Sequence, residues 1–349
     1  LKMKLLILTQ KVDRNDPVLG FFHRWIEKFA EQYEKITVIC LEQDEYNLPE
    51  NVKVLSLGKE SGQSKLKYLW RFYKYIWQER KNYNIVFVHM NQEYVLLGGK
   101  FWLLWGKKIF MWRNHHAGNF LTDLASLFCH QVFCTSKYSY TAKYKKTVLM
   151  PVGVDTELFK VSNQIIRIKN AILSLGRIAQ SKNVDIFIEA LGLLAKKGIS
   201  FTANIYGDAL PKDVGYLESL KSQARELGLG NILKFYTGVP NHEATVIYNT
   251  HEIFINLSSS GMYDKTIFEA MACGTLPLSP NDNLRGEIDD RLIFTKGNPV
   301  DLAQKLKILL NLPAFEAGKL QKELRDYVVS RHSIELLTSK LSNCLYATL

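Results

Sequence analysis

Two cationic residues in the second half of the chain have types and a spacing that suit phosphate chemistry. Arg177 and Lys182 follow the short apolar run 171–175 and lie five residues apart on a predicted loop. An arginine can bind two phosphate oxygens at once, and a lysine adds a compact second charge. The pair therefore suits a diphosphate group. A solvated basic loop is the alternative interpretation, and it is the commoner fate of two cations at this spacing.

A second segment combines a small polar loop with the start of a helix. The apolar run 253–257 is followed by three serines and Gly261, and helical periodicity begins near Thr266. Free N–H groups at a helix start favour anions. Glu269 lies inside this helix beside the small or apolar residues 270–272, where an unbonded carboxylate would be costly. It could accept hydrogen bonds from a ribose diol; the alternative is an exposed helix residue.

The elements that must position these residues alternate regularly along the chain. Continuous apolar runs such as 5–8, 85–88 and 171–175 predict strands, and amphipathic stretches such as 184–196 predict helices. Strands without polar alternation are buried on both faces, as in a parallel sheet. The pattern predicts the α/β class, in which ligands bind beyond the carboxyl ends of the strands.

The chain is predicted to form two such domains. Its 349 residues agree with roughly 150 residues per domain, and a turn-rich break lies at 151–155. We place an N-terminal domain at 1–152 and a C-terminal domain at 153–332, and we expect a last helix at about 333–349 to pack back on the N-terminal domain.

Charge and tryptophan are concentrated in the first half. Residues 1–150 carry 23 basic and 13 acidic residues, whereas the remainder carries 22 and 21, and all six tryptophans lie in the first half. Such a surface suits anionic membrane headgroups or nucleic acid. No recognition motif supports nucleic acid. Segment 65–81, with six basic and six aromatic residues, suits a membrane interface, although a packed helix with a basic outer face is as good an interpretation.

The sequence predicts a cytoplasmic protein, with a peripheral position at the inner face of the membrane through its basic half. The apolar run at 5–8 is too short for a signal peptide, and the longest apolar stretch, 94–105, is too short to span a bilayer. The five cysteines are scattered without paired spacing, which favours a reducing compartment over disulfides or zinc.

Three segments together resemble the retaining glycosyltransferases of the GT-B fold, family 4. Segment 151–159 resembles their interdomain signature, Arg177 and Lys182 resemble their diphosphate-binding pair, and 268–277 resembles the end of their Glu-x7-Glu motif. The resemblance covers nearly the whole chain. It implies two Rossmann-like domains facing a central cleft, with the acceptor on the N-terminal domain and a nucleotide-diphosphate sugar on the C-terminal domain.

The resemblance also implies roles for individual residues in moving a sugar to an acceptor hydroxyl with retention of anomeric configuration. The residues expected to act in the reaction are His115, Arg177, Lys182 and Glu269. The donor is expected to meet Gly20, Gly207, Val239, Gly261, Met262, Tyr263, Asp264, Lys265 and Thr266. The acceptor is expected to meet His23, Asn91 and His116. The sugar contact of His115 stays open between that residue and the adjacent His116, and an ordinary structural histidine is the alternative for both.

One position departs from the family's motif. Eight residues before Glu269 the family has a glutamate, and this chain has Gly261. Asp264 or Lys265 could replace the missing side chain, and main-chain N–H groups of 262–266 could still bind phosphate. Two other functions therefore stay open: a nucleotide-sugar epimerase and a catalytically silent GT-B binding subunit.

The expected partners are a nucleotide-sugar donor, a glycan or lipid-linked acceptor such as a cell-surface glycan precursor, and an anionic membrane surface. Nucleic acid is not expected. No Asp-x-Asp motif stands at a matching position, so we predict a metal-independent reaction that needs no cofactor.

Overall fold

The computed structural model describes residues 3–258 and 262–347. Residues 3–153 and 334–347 form one compact domain, and the chain between 154 and 333 forms the other. They are named here the N-terminal domain and the C-terminal domain.

The N-terminal domain is built on a sheet of seven parallel strands. These are β1 (Lys4–Val12), β2 (Lys35–Gln43), β3 (Val52–Ser56), β4 (Ile85–His89), β5 (Lys108–Trp112), β6 (Gln131–Cys134) and β7 (Thr147–Leu149). Their order is β3-β2-β1-β4-β5-β6-β7, with every pairing parallel. The central strands are apolar on both faces, and residues 5–8 and 85–88 are fully buried. The strand order reverses between β1 and β4, which is where ligands bind in such sheets.

Helices cover both faces of this sheet because each has one apolar side. They are α1 (Gly20–Ala30), α2 (Lys65–Gln78), α3 (Gln92–Leu104) and α4 (Phe120–Phe128). On one face α1 buries Trp25 and Phe29. On the other, Phe72 of α2 and Trp102 of α3 lie in a second apolar cluster.

Helix α4 is an element that the sequence analysis did not assign. It begins at a capping box, in which the Asn119 side chain accepts from the Thr122 N–H and the Thr122 hydroxyl accepts from the Asn119 N–H. This reciprocal bonding satisfies donors that a helix start leaves free. This cap contains no charged residue and no glycine that would mark a helix start in the sequence, so the nine-residue helix was not predicted.

The C-terminal domain has a smaller sheet of five parallel strands. These are β8 (Ala171–Leu175), β9 (Thr202–Tyr206), β10 (Leu233–Tyr236), β11 (Ile253–Ile255) and β12 (Leu276–Leu278), in the order β10-β9-β8-β11-β12. Its helices are α5 (Val184–Lys196), α6 (Val214–Glu226), α7 (Ala244–Thr250), α8 (Lys265–Ala272), α9 (Pro299–Leu310) and α10 (Ala314–His332). Two open parallel sheets with helices between the strands confirm the predicted α/β class.

The last helix, α11 (Ile334–Tyr346), belongs to the N-terminal domain. Its apolar residues share the buried cluster of α1, and the Tyr346 ring stacks on Tyr33 with centroids 5.8 Å apart. The Tyr33 hydroxyl donates to the Ser342 hydroxyl across 3.4 Å. The shared apolar cluster and the Tyr33–Ser342 hydrogen bond therefore hold α11 beside α1.

Candidate active site

A cavity opens beyond the carboxyl ends of β8 and β11, where the strand order of the C-terminal sheet reverses. Three chain segments meet there: the loop after β8, the loop after β11 and the start of α8. The polar residues that line the cavity are Ser174, Arg177, Lys182, Asn256, Ser258, Asp264 and Thr266. The structure thus brings the two predicted cations to the helix start that the sequence predicted to bind an anion.

Arg177 enters this cavity on a sharply turned backbone. The preceding residue, Gly176, has φ of 147°, a conformation that side chains other than hydrogen disfavour. The Arg177 side chain is exposed, and it has no hydrogen-bond or ion-pair partner among the residues that the structure describes. Its guanidinium is therefore available to a ligand.

Lys182, in contrast, is already engaged. Its ammonium lies 3.0 Å from the Asp264 carboxylate and donates to the Ser258 hydroxyl across 2.8 Å. Ser258 donates in turn to the same carboxylate oxygen across 2.8 Å. Burial raises the pKa of Asp264, but the charge of Lys182 and the surrounding hydrogen bonds hold it well below its usual value. Asp264 is therefore an anion at neutral pH.

Asp264 also caps α8. Its carboxylate accepts from the Thr266 N–H and from the Thr266 hydroxyl, across 3.3 and 2.9 Å. Asn256 donates to the Thr266 hydroxyl across 3.2 Å. The Asp264 carboxylate thus already occupies the positive end of this helix. It is also paired with Lys182, the cation that a diphosphate would use.

Glu269 is buried, with 1% of its surface exposed, which contradicts the alternative of an exposed helix residue. One carboxylate oxygen accepts from the Asn241 amide across 3.0 Å, and the other from the Tyr248 hydroxyl across 3.4 Å. Burial raises its pKa. The sequence analysis missed both partners, although Asn241 lies two residues after Val239, which the resemblance places at the donor.

Lys265 lies one helical turn before Glu269. Burial lowers the pKa of Lys265 to about 8, while the neighbouring carboxylates of Glu269 and Asp155 raise it. Its charge therefore changes just above neutral pH, unlike that of an ordinary lysine.

Gly207 and Val239 follow β9 and β10 in the same domain. A Cβ atom on Gly207 would lie 2.0 Å from the Gly176 carbonyl oxygen, so this position has room for glycine alone. Val239 is half-buried in the loop after β10, two residues before Asn241. The ends of β9 and β10 are joined by the stacked rings of Tyr206 and Tyr236, 4.5 Å apart.

We expect Gly207→Ala to destabilise the C-terminal domain. The new methyl group would meet the backbone that carries Arg177, and overpacking of this kind costs about 1–3 kcal/mol. Thermal unfolding should show a clear decrease in Tm. Gly215→Ala is the matched control, because nothing lies within 4 Å of its Cβ position, and its Tm should stay level or rise. Equal Tm values for the two variants would contradict the close approach.

Met262 and Tyr263 are turned toward the interior of the C-terminal domain. The Met262 carbonyl accepts from the Asn281 amide across 2.8 Å, and the Tyr263 ring packs edge-on against Phe268. Gly261, where the family motif is broken, lies outside the described residues.

The remaining predicted residues belong to the N-terminal domain. His23 is 8% exposed; its Nε2 accepts from the Asn47 N–H across 3.1 Å, and burial lowers its pKa. Asn91 follows β4 and donates to the Gln10 side chain across 2.7 Å, beside the strand-order reversal. His23 is thus occupied within the fold, whereas Asn91 lies at a ligand-binding edge.

His115 and His116 are exposed after β5, with their rings stacked 4.5 Å apart. Nδ1 of His115 accepts from the Ala117 N–H across 3.0 Å. Gly20 opens α1, and a Cβ there would lie 2.9 Å from the Arg14 carbonyl oxygen.

Residues 3–258 and 262–347, which the structure describes, contain no group of three or more His, Cys, Asp or Glu side chains placed to hold a metal ion. None of their helices is long and apolar enough to cross a membrane.

Comparison with known proteins identifies the family. Residues 155–329 match the family described as glycosyl transferases group 1. The chain belongs to this family. The matched stretch is half of the chain and contains Arg177, Lys182 and Glu269, so the cavity of this group 1 glycosyl transferase lies within the family's own domain.

Two curated relatives match this group 1 glycosyl transferase in part. Mannosylfructose-phosphate synthase of Agrobacterium fabrum is 28% identical over 148 residues, covering 39% of this chain and 33% of the relative. Alpha-monoglucosyldiacylglycerol synthase of Streptococcus pneumoniae is 26% identical over 190 residues, covering 50% and 41%. The matches thus span between a third and two fifths of the length of these relatives.

Solved structures resemble this group 1 glycosyl transferase along its whole length. Anabaena HepE in complex with UDP-glucose has a TM-score of 0.80 at 17% identity, covering 99% of this chain and 100% of HepE. WaaG, a glycosyltransferase involved in lipopolysaccharide biosynthesis, has a TM-score of 0.67 at 14% identity, covering 98% and 99%. At identities this low, the structural similarity establishes the fold alone, and it confirms the predicted GT-B fold.

Proposed function

We propose that this group 1 glycosyl transferase moves a sugar from a nucleotide-diphosphate sugar to an acceptor hydroxyl, with retention of the anomeric configuration. The observation that carries the proposal is the cavity in which Arg177, Lys182 and the start of α8 converge. Binding of UDP and UDP-glucose by the structural relative HepE supports a nucleotide-sugar donor.

Arg177 and Lys182 would stabilise the departing diphosphate. Negative charge grows on that group as the bond to the sugar breaks, and fixed cations in a cavity act most strongly on developing charge. Arg177 is available at once, whereas Lys182 must divide its ammonium protons between the phosphate and Asp264. Asp264 therefore positions Lys182 before the donor arrives.

Glu269 would hold the ribose hydroxyls. Asn241 and Tyr248 fix its two oxygens, and a carboxylate oxygen can accept more than one hydrogen bond. Asp264 and Glu269 are both bonded within the fold, which favours a reaction in which neither attacks the anomeric carbon. The leaving phosphate would then help to deprotonate the acceptor.

The acceptor would meet the N-terminal domain near Asn91 and His116, whereas the resemblance assigns His115 to the transferred sugar. Asn91 and the two histidines follow β4 and β5, at the edge of the sheet where its ligands bind. The acceptor would be a glycan or lipid-linked precursor, handled in the cytoplasm at the inner face of the membrane.

The proposal is tested by thermal unfolding of the protein with UDP-, GDP- and ADP-sugars. A ligand at 100 times its Kd adds about 2.7 kcal/mol to the free energy of unfolding, which gives a clear rise in Tm. The rise should be seen for one nucleotide class and should be lost in Arg177→Ala and Glu269→Ala. Arg225→Ala, an exposed arginine at the end of α6, should keep it. No rise with any nucleotide sugar would overturn the proposal.

One observation favours a catalytically silent binding subunit as a second candidate. The Asp264 carboxylate already occupies Lys182 at the helix start. Transfer or hydrolysis of the sugar of a bound donor would exclude the silent subunit. Release of an epimerised nucleotide sugar without an acceptor would favour an epimerase instead.

We expect KM for the donor to increase above pH 8. Raising the pH through the lowered pKa of Lys265, about 8, removes a positive charge beside the cavity, and an anionic donor then binds less well. The increase should approach tenfold per pH unit, because a single proton is lost. Initial rates at pH 7–10 would show it. Lys265→Arg stays charged and should keep a flat profile; the same rise in both proteins would assign it to another group.

We also expect the reaction to need no metal ion. The cations of the site are side chains, which chelators do not remove. Initial rates with and without excess EDTA should agree. Loss of activity in EDTA that Mn²⁺ restores would refute this prediction.

A further inference from the structure

A groove of about 780 Å³ lies in the N-terminal domain between α2 and α3. The apolar residues that line it include Leu57, Tyr68, Leu69, Phe72, Tyr94 and Leu97. Leu57, Phe72 and Tyr94 are no more than 6% exposed and form its floor. The volume lies within the range of pockets that enclose small molecules, roughly 300–1,000 Å³. The groove therefore has the size and the wall of a site for a hydrocarbon chain.

Asn91 lines the same groove, next to the strand-order reversal between β1 and β4. Its amide donates to Gln10. The apolar groove thus runs to the sheet edge where polar ligands of this fold bind. One molecule with a polar head and an apolar chain would fill both.

The surface around the groove is apolar and cationic. On α2, Leu66, Trp70 and Trp77 are 80%, 59% and 55% exposed. The exposed surface continues to the end of α3, where Leu104 is 73% exposed. The next residue, Trp105, contacts Trp77 with ring centroids 5.7 Å apart. Aromatic and aliphatic side chains on one helix face are typical of helices that lie in a membrane interface.

The charge of α2 adds a second requirement. The helix has four basic residues, Lys65, Lys67, Arg71 and Lys74, and no acidic residue. Among the described residues, none of the four lies within 4 Å of a carboxylate; Arg71 donates to the Leu57 carbonyl and Lys74 lies over the Trp70 ring. The charged residues that line the groove itself are Lys59, Lys65 and Glu93. Together with α2 they leave an excess of positive charge, which is complementary to an anionic head such as a phosphate ester.

We infer that this groove binds the hydrocarbon chain of the acceptor, which is an anionic amphiphile, a phosphate-bearing lipid. That the bound lipid is the acceptor rests on the proposed function; that the groove binds a hydrocarbon chain does not. A glycan without a lipid would leave the apolar wall in water, and the wall would contribute nothing to its binding.

The groove is tested first without any sugar donor. Hexyl, octyl and decyl phosphate, kept below their micelle concentrations, are titrated into the full chain by calorimetry. Each methylene buried in the groove should tighten binding about fourfold. Leu69→Glu places a charge on the groove wall and should weaken the binding of decyl phosphate at least tenfold. Leu104→Glu alters an equally apolar exposed residue outside the groove and should change binding less than twofold.

Leu97→Trp fills the groove without adding charge and should give the same loss of binding as Leu69→Glu. A wild-type Tm in either variant separates a blocked groove from a misfolded protein. The proposal that the groove binds a hydrocarbon chain would be overturned by an alkyl phosphate affinity that does not depend on chain length. An equal loss of affinity in Leu69→Glu and Leu104→Glu would also overturn it.

The acceptor role is tested with the donor that raises Tm. Radiolabelled sugar is supplied with a total lipid extract of the cells that make the protein, and label is measured in the organic phase. Label in that phase, lost in Leu97→Trp while the donor still raises Tm, supports a lipid acceptor. Label that stays in water with a bound donor overturns the lipid acceptor and leaves the proposed transferase standing. If no donor binds, the proposed function fails, and the alkyl phosphate titration still decides the groove.

Discussion

Replacing Arg177 by alanine is expected to lower kcat/KM for the nucleotide sugar by about 10²–10³-fold. The reason is geometric. Arg177 faces the cavity, and within the described residues its guanidinium has no protein partner to lose. The substitution should therefore remove stabilisation of the departing diphosphate and leave Tm unchanged. Initial rates with the donor found by the thermal panel give the effect.

Two further variants separate charge from shape. Arg177→Lys keeps one positive charge but loses the planar fork that binds two oxygens, so its rate should fall between those of the wild type and Arg177→Ala. Arg225→Ala removes a matched exposed arginine from α6 and should retain the wild-type rate. A wild-type rate in Arg177→Ala would show that the cavity after β8 is not the diphosphate site.

Much of the fold was predictable because its strands are buried on both faces. Runs such as 85–88 are fully apolar, and β4 begins at Ile85 and ends at His89, one residue past that run. Helix ends were less certain; the last helix, predicted at about 333–349, runs from Ile334 to Tyr346. Helix α4 was missed because its capping box consists of Asn119 and Thr122, residue types that are equally common in loops.

The candidate site was predictable in its residue types and not in its internal bonds. Arg177 and Lys182 could be placed after a strand from the sequence, yet the ion pair of Lys182 with Asp264 joins residues 82 positions apart. The hydrogen-bond partners of Glu269, Asn241 and Tyr248, lie 28 and 21 positions away. Such contacts depend on which strand ends are adjacent in the sheet, and the hydrophobic pattern does not give strand order. The same holds for His23, whose ring accepts from the Asn47 backbone.

Lys182→Met is expected to reduce both stability and activity. It leaves the partly buried Asp264 carboxylate without its cation. Breaking a fully buried pair costs about 3–5 kcal/mol, and the side chains here are 34% and 21% exposed, so we expect a loss of about 1–2 kcal/mol. Activity should fall by about 10²–10³-fold, because a cation on the diphosphate is lost.

The stability loss should depend on pH in a defined direction. In the wild type Lys182 lowers the pKa of Asp264, so the pair stabilises the fold above the ordinary carboxyl pKa, and this is lost as pH falls through the lowered value. In Lys182→Met the Asp264 carboxyl group binds a proton more readily. In acid it is therefore neutral, and the cost of an unpaired carboxylate charge disappears. The difference in unfolding free energy between the two proteins should therefore be largest near pH 7 and shrink below about pH 4.

The double variant Lys182→Met/Asp264→Asn separates the two roles of Lys182. Asparagine is neutral and still caps a helix, so the fold should regain most of the stability lost in Lys182→Met. The diphosphate cation is still missing, so activity should not return. Recovery of both would mean that Lys182 acts by neutralising Asp264 and does not contact the donor. Recovery of neither would mean that the Ser258 hydroxyl, bonded to both side chains, depends on the pair for its position. Asp264→Asn alone frees Lys182 for the phosphate, and a lower donor KM in that variant would show directly that Asp264 competes with the donor for Lys182.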